Sequence, residues 1–176
     1  MTVNRTRPLP RTRGRGALVV SAQVAGATST LLREIGANGK LHEALVYWAG
    51  RTVGATTYVL AAVAPQCERS AYGVFADERA IGAAARQARR HQLGLVAQVH
   101  SHPGTDTRHS DGDDELILMP FEGMFSLVVG RYGEGSIRPS RGAGLHQFQD
   151  GRWVYLEDDV LSLVPALIGV PGDHEG

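Results

Sequence analysis

The residues best suited to chemistry fall in one stretch, Val-Ala-Gln-Val-His100-Ser101-His102-Pro103-Gly-Thr-Asp106-Thr-Arg-His109-Ser110-Asp111-Gly-Asp113-Asp114. Two histidines one residue apart close an apolar run, and a loop rich in hydroxyls and carboxylates follows. In an extended chain residues i and i+2 point to the same side, so His100 and His102 can present both imidazoles to one point in space. A carboxylate from the loop can supply a third ligand, which leaves one position of a tetrahedral zinc open for water, the arrangement of a catalytic site. A His-x-His pair alone is weak grounds for a metal, because strands bring such pairs together by chance.

The elements that must position these residues can be read from local pattern. Gly94 leads into a strand over residues 95–99 that delivers the chain to His100, and residues 111–118 suit a short helix. Upstream, residues 41–51 read as a buried strand with Glu43 at its polar entrance. A second apolar run over 55–64 pairs with it across a short connection as an antiparallel hairpin. Asp77 is placed to cap a helix carrying Ala80, Ile81, Ala84, Ala85 and Ala88, and Arg89, Arg90 and His91 at its far end suit the helix dipole. A first strand over 17–25 and a helix capped by Thr28 or Ser29 and ended by Gly36 and Gly39 precede Glu43. Residues 65–76 read as a loop with Cys67 and Tyr72, and 124–131 as another strand. Residues 145–148 and 153–156 flank Asp150-Gly151, a strong hairpin signal. A short helix over 161–168 and a loose tail from 171 to 176 complete the chain. Strands alternating with helices predict an α/β domain spanning 17–170, with a central mixed sheet flanked by helices.

A chain of 176 residues with 43% apolar and 20% charged residues is long enough for one hydrophobic core. Its formal net charge of zero gives no global field to hold polyanions or membranes. The local exception is residues 1–16, where Arg5, Arg7, Arg11, Arg13 and Arg15 alternate with Pro and Gly. That composition predicts a flexible leader. Nucleic acid is not its expected partner, since no aromatic side chains are interleaved with the arginines. Arginines followed by residues 17–27 mimic a secretory signal, but Ser21 and Gln23 interrupt the apolar part, which alternates like a strand. With a single cysteine no intrachain disulfide can form, so a cytoplasmic location is the expectation. The longest apolar stretches fall well short of the roughly 20 residues that span a bilayer.

The full spacing is more specific than the histidine pair: His100-x-His102-Pro103, seven residues to Ser110, then two more to Asp113. It resembles the His-x-His-x7-Ser-x2-Asp signature of the JAMM (MPN-plus) metalloproteases, whose remaining element is an upstream glutamate on a strand. Glu43, in Glu-x4-Trp-x-Gly, holds that place in the order of elements; Glu34 is the other upstream acid but falls on the predicted helix. Two other His-x-His chemistries fit poorly. Metallo-β-lactamase-like hydrolases follow the pair with Asp-His, and amidohydrolase barrels need about 250 residues.

The resemblance implies a curved mixed sheet of the cytidine-deaminase-like, JAMM type and a Zn²⁺ cofactor held by His100, His102 and Asp113. It further implies that Glu43 takes and returns a proton, that Ser110 donates to the developing oxyanion, and that Ser101 and Pro103 shape the loop. Cleavage after the C-terminal glycine of a ubiquitin-like or sulfur-carrier protein is the activity it points to, with an associated activating enzyme as a further partner. Compactness is closer to the bacterial and archaeal members. A non-catalytic MPN scaffold that docks proteins is the alternative, although such members usually lack a ligand. Asp106, His109, Asp111 and Asp114 are expected to be solvated loop residues, His42 a strand-edge residue and Cys67 an incidental thiol.

Overall fold

The computed structural model describes residues 5–37, 41–117 and 120–165. Its elements follow in the order β1 (Arg11–Thr12), β2 (Ala17–Ser21), α1 (Ala22–Ala37), β3 (Leu45–Val53), β4 (Thr56–Val63), β5 (Glu68–Ser70), β6 (Gly73–Phe75), α2 (Glu78–Arg90), β7 (Gly94–Ser101), α3 (Asp111–Leu116), β8 (Phe125–Val129), β9 (Gly144–Gln149), β10 (Arg152–Leu156) and β11 (Leu161–Val164). Nine strands form one mixed sheet in the order β1-β10-β9-β8-β7-β3-β4-β2-β11, while β5 and β6 pair separately. The antiparallel β3–β4 hairpin and the antiparallel β3–β7 pair occupy the middle, and β7 runs parallel to β8. This is the α/β domain with a central mixed sheet that the pattern predicts. Among the described residues no helix is long and apolar enough to cross a membrane.

β3 explains the layering. Its first six residues are all buried, as expected of a strand covered on both faces. Val46 and Trp48 join the core with Leu18, Leu32, Val99 and Leu127, on the side that α1 covers. Leu45 and Tyr47 point the other way, into a smaller core with Val74, Ala76 and Ala84 of α2. Trp48 brings a polar N–H into the interior, and it is satisfied: Nε1 donates to Thr28 Oγ1 at 2.8 Å, which itself donates to the Val24 carbonyl at 2.9 Å. Asp77 caps α2 through the Ala80 amide, as its position predicts. Asp150 and Gly151, both with positive φ, form the tight turn between β9 and β10 that suits the twist of the flanking strands.

Four expectations are corrected. Residues 5–16 are not a loose leader: Leu9 packs with Ile117, Met124 and Trp153, and β1 adds to β10 as a parallel edge strand. The strand expected over 17–25 ends at Ser21, whose hydroxyl accepts the Val24 amide and lets the helix begin at once, so that Thr28 and Ser29, the expected caps, fall inside it. Residues 68–75 form the β5–β6 hairpin instead of a loop. The helix expected over 161–168 begins as β11, paired in parallel with β2; a short apolar run satisfies either period, and an open sheet edge selected the strand. Residues 166–168 and the expected tail lie outside the described residues.

Two glycines let the histidine loop lie against the sheet. A Cβ on Gly144 would stand 1.8 Å from the Thr107 carbonyl oxygen, and one on Gly130 would stand 2.7 Å from that of Gly104. Gly144→Ala is therefore expected to lower stability by about 1–3 kcal/mol through overpacking. Gly26→Ala on exposed α1, where nothing lies within 4 Å, should raise stability by roughly 0.5–1 kcal/mol. Urea unfolding midpoints of the two variants would move in opposite directions.

Candidate metal centre

The site is assembled where β3 and β7 meet. Leu45 pairs with His100 and Tyr47 with Gln98, so these four side chains share the face that α2 covers. Ser101 extends the pairing: its N–H donates to the Ala44 carbonyl at 3.0 Å, and its buried hydroxyl accepts the Ala44 amide at 2.9 Å. Continued one more residue, the same register sets Glu43 opposite His102. Glu43 is itself held from the other side, its N–H donating to the Ser70 carbonyl of β5 at 2.9 Å. His102 is fixed by β8 and the turn after it, since its N–H donates to the Val129 carbonyl and its carbonyl accepts the Tyr132 amide.

The third group comes from α3. Ser110 caps this helix in a reciprocal box: its hydroxyl accepts the Asp113 amide at 3.0 Å while Asp113 Oδ2 accepts the Ser110 amide at 2.6 Å and the Ser110 hydroxyl at 2.8 Å. Asp113 is thereby turned toward the histidines. His100 Nε2 and His102 Nε2 lie 3.2 Å apart, and Asp113 carboxylate oxygens lie 3.4 and 3.1 Å from them. The three side chains offer donor atoms that all fall within 4.8 Å of one another. Each of the three sits where the His-x-His-x7-Ser-x2-Asp spacing implied, with Glu43 and Ser110 beside them.

These donors fit a cation. His102 Nδ1 lies 3.0 Å from the Asp106 carbonyl, which can only accept, so that nitrogen carries the proton and a neutral ring presents its lone pair at Nε2. That lone pair then faces the Asp113 carboxylate, two acceptors that a proton or a metal must bridge. Two imidazoles and a carboxylate are a ligand set zinc favours, and the carbonyl behind His102 is the usual means of holding a metal-bound imidazole in orientation. A cavity of about 20 Å³ bordered by His100 and Asp113 has room for one water.

The electrostatics agree. Burial alone would push the Asp113 carboxyl up, but the facing His100 and His102 outweigh it and hold the group well below the usual carboxylate range. Burial pulls His102 down, yet its bonds to Asp113 and to the Asp106 carbonyl, with the charge of Glu43, leave it raised above 6.5. Glu43 is buried, and desolvation lifts it from 4.5 to about 7, helped by Asp113 and opposed by His102. A carboxyl that gains and loses a proton near neutrality suits proton transfer.

Other expectations for this region are corrected. His109 is fully buried, not solvated. It stacks on His146 with ring centroids 3.9 Å apart, its Nδ1 meets Asp114 at 2.9 Å and its Nε2 meets Ser126 at 2.8 Å. Burial drives both His109 and His146 well below their ordinary value, so both are neutral. Asp106 pairs with Arg108, Asp111 with Thr6, and Asp114 with Arg5. Sequence reasoning passed over Ser126, His146 and Arg5 as site residues; the signal for Ser126 was a polar residue inside an otherwise apolar strand, whereas His146 shares its strand with Gln147 and Gln149 and gave no such signal. Cys67 agrees with its reading as an incidental thiol, burial pushing its pKa up and away from the reactive thiolate.

Two pH dependences follow. Because the pKa of His102 is raised, its proton competes with metal below that value. Zinc affinity should fall by about tenfold per unit of pH once the medium is more acidic than His102, as competitive titration with a chelator would register. For Glu43 the folded pKa of about 7 exceeds 4.5, so its burial favours the neutral form and stability is lost as pH rises between the two values. In chelator-treated protein Glu43→Gln should be more stable than wild type at pH 8, by up to about 3 kcal/mol. The margin should shrink toward pH 5 in urea melts.

The sequence model of the family described as prokaryotic homologs of the JAB domain matches residues 29–140, more than half of the chain and inclusive of Glu43, His100, His102, Ser110 and Asp113. A search of curated proteins found no match. Among solved structures, the solution structure of a protein from Desulfitobacterium hafniense is similar with a TM-score of 0.64 at 18% identity, covering 85% of this chain and 94% of that one. The solution structure of a protein from Salinibacter ruber has a TM-score of 0.55 at 18% identity, covering 81% and 90%. With its sheet, its histidine strand and its capped aspartate accounted for, the chain belongs to the prokaryotic JAB-domain homologs, within the JAMM/MPN type that the motif resembles.

Proposed function

We propose that this protein is a zinc-dependent peptidase or isopeptidase that cleaves after the C-terminal glycine of a ubiquitin-like or sulfur-carrier protein. The observation that carries the reading is the convergence of buried His100 and His102 with half-buried Asp113 within 4.8 Å, with Glu43 set opposite His102 by the β3–β7 register. Zinc, when bound there, supplies Lewis acidity toward a carbonyl and makes a nucleophile of water at neutral pH. Glu43 accepts the proton of the attacking water and returns it to the leaving amine. Ser110, whose hydroxyl lies 2.8 Å from Asp113 Oδ2, swings its O–H toward the oxyanion as charge develops there.

An extended, glycine-rich tail is the substrate chemistry that suits the surroundings. The β5–β6 pair, bonded to the backbone of Glu43 at Ser70, has outer edges that no strand among the described residues fills. A tail added there as a strand gains main-chain hydrogen bonds beside the metal, and small residues let it pass. A cytoplasmic location and an associated activating enzyme belong to the same proposal.

Glu43→Ala is expected to retain about one zinc per chain and to lose roughly 10²- to 10⁴-fold in kcat on a ubiquitin-like fusion. Undiminished turnover would remove Glu43 from the reaction. A purified wild-type chain that takes up no zinc under non-chelating conditions would instead favour a docking scaffold.

A further inference from the structure

We propose that Arg5 is a positioning residue for the metal centre, the tip of an N-terminal clasp that holds the Ser110–Asp113 turn against the sheet. The inference rests on the reading of His100, His102 and Asp113 as a metal site. Arg5 reaches across more than 100 positions of sequence. One guanidinium nitrogen, Nη1, donates to the carbonyls of His109 and Ser110, each at 3.1 Å, and Nη2 forms an ion pair with Asp114 Oδ2 at 2.6 Å. Its Nε donates to the Arg7 carbonyl at 2.8 Å, which shapes the arm itself. Next to it, the amide and the hydroxyl of Thr6 both donate to Asp111 Oδ2 at 2.7 Å. Residues 109, 110, 111 and 114 are thus all gripped by the arm, and the ligand Asp113 lies between them.

The arm has the purchase to exert that grip. Leu9 is buried against Ile117, Met124 and Trp153, the Tyr155 amide donates to the Pro10 carbonyl at 2.8 Å, and β1 continues along β10. The turn needs such support. α3 has six residues, too few to be stable alone, and Asp111, Asp113 and Asp114 crowd its first turn. Like charges at that spacing repel, and the guanidinium of Arg5 offsets the repulsion while fixing the His109 carbonyl, just outside the helix, and the Ser110 carbonyl, whose intrahelical bond from the Asp114 amide is long at 3.4 Å. From Asp114 the chain of contacts runs through His109 to Ser126 on β8, so the same clasp joins the turn to the sheet that carries His100.

The test compares wild type, Arg5→Ala, Arg5→Lys and Arg15→Ala as full chains. Zinc affinity is read by competition with a chromophoric chelator, and ligand geometry by the visible absorption of the Co²⁺ form. Arg5→Ala is expected to bind zinc about 10- to 100-fold more weakly, the effect typical of removing a group that orients a ligand, and to alter the Co²⁺ spectrum. Arg15→Ala, which breaks ion pairs to Glu122 and Asp150 in the same segment, should leave both readouts unchanged. Should Arg5→Ala not fold, Arg5→Lys decides. It keeps the charge but cannot span two carbonyls and a carboxylate at once, so it should lose about tenfold in affinity. A lowered melting temperature with wild-type zinc affinity and spectrum would make Arg5 a folding residue only and overturn the proposal. A wild-type chain that binds no zinc would end the metal-site reading and this one together, whereas zinc bound equally well by wild type and both Arg5 variants would end this one alone.

Discussion

The register between β3 and β7 is the constraint on which the site depends. Leu45 opposite His100 requires Glu43 to stand opposite His102, and both then project to the face under α2. Because side chains alternate along a strand, a slip of one residue would send Glu43 to the α1 side, away from the cluster of His100, His102 and Asp113. Ser101 makes the slip costly: its amide and its hydroxyl are both committed to Ala44, and a buried hydroxyl without its partner is expensive. The serine inside the His-x-His motif thus acts as a peg between the two strands.

Around that register the protein buries what proteins usually expose. Glu43, His100, His102, His109 and His146 are all buried, close to a carboxylate and to one another. Several polar atoms of the cluster are engaged, His102 by a carbonyl, His109 by Asp114 and Ser126, and Asp113 by the box that Ser110 closes, whereas Nδ1 of His100 and of His146 is buried without a hydrogen-bond partner among the described residues. The two histidines kept neutral by burial, His109 and His146, fill space and relay contact without adding charge. The charged or titrating groups gather instead at the front, where His102 and Asp113 face each other and Glu43 is lifted to about 7. That division puts the cost of burial where a cation can repay it by coordination.

Local pattern was a good guide where one element carries its own signals. The α2 helix was legible from Asp77 and its spaced alanines, and the β9–β10 hairpin from Asp150-Gly151, because caps and tight turns are short-range devices. It failed where the deciding partner lay far away. Nothing in residues 5–12 announces that Leu9 has a pocket beside Trp153 or that Arg5 has a carboxylate at Asp114. His109 looked like one more polar residue in a polar loop, and only the closing of that loop over β8 and β9 buried it against His146.

By itself the sequence determined the chemistry available: two imidazoles at a spacing that shares one side of a strand, a serine that caps, and an aspartate three residues on that the cap turns inward. Those are properties of neighbouring residues and of backbone geometry over a few ångströms. Tertiary structure decided how Glu43, singled out by the order of elements, is brought to them and what holds them still. Glu43 comes within reach through strand pairing, and Arg5 through an edge strand laid along β10. Both depend on contacts between segments that the chain keeps dozens of residues apart, whose energies no local propensity contains.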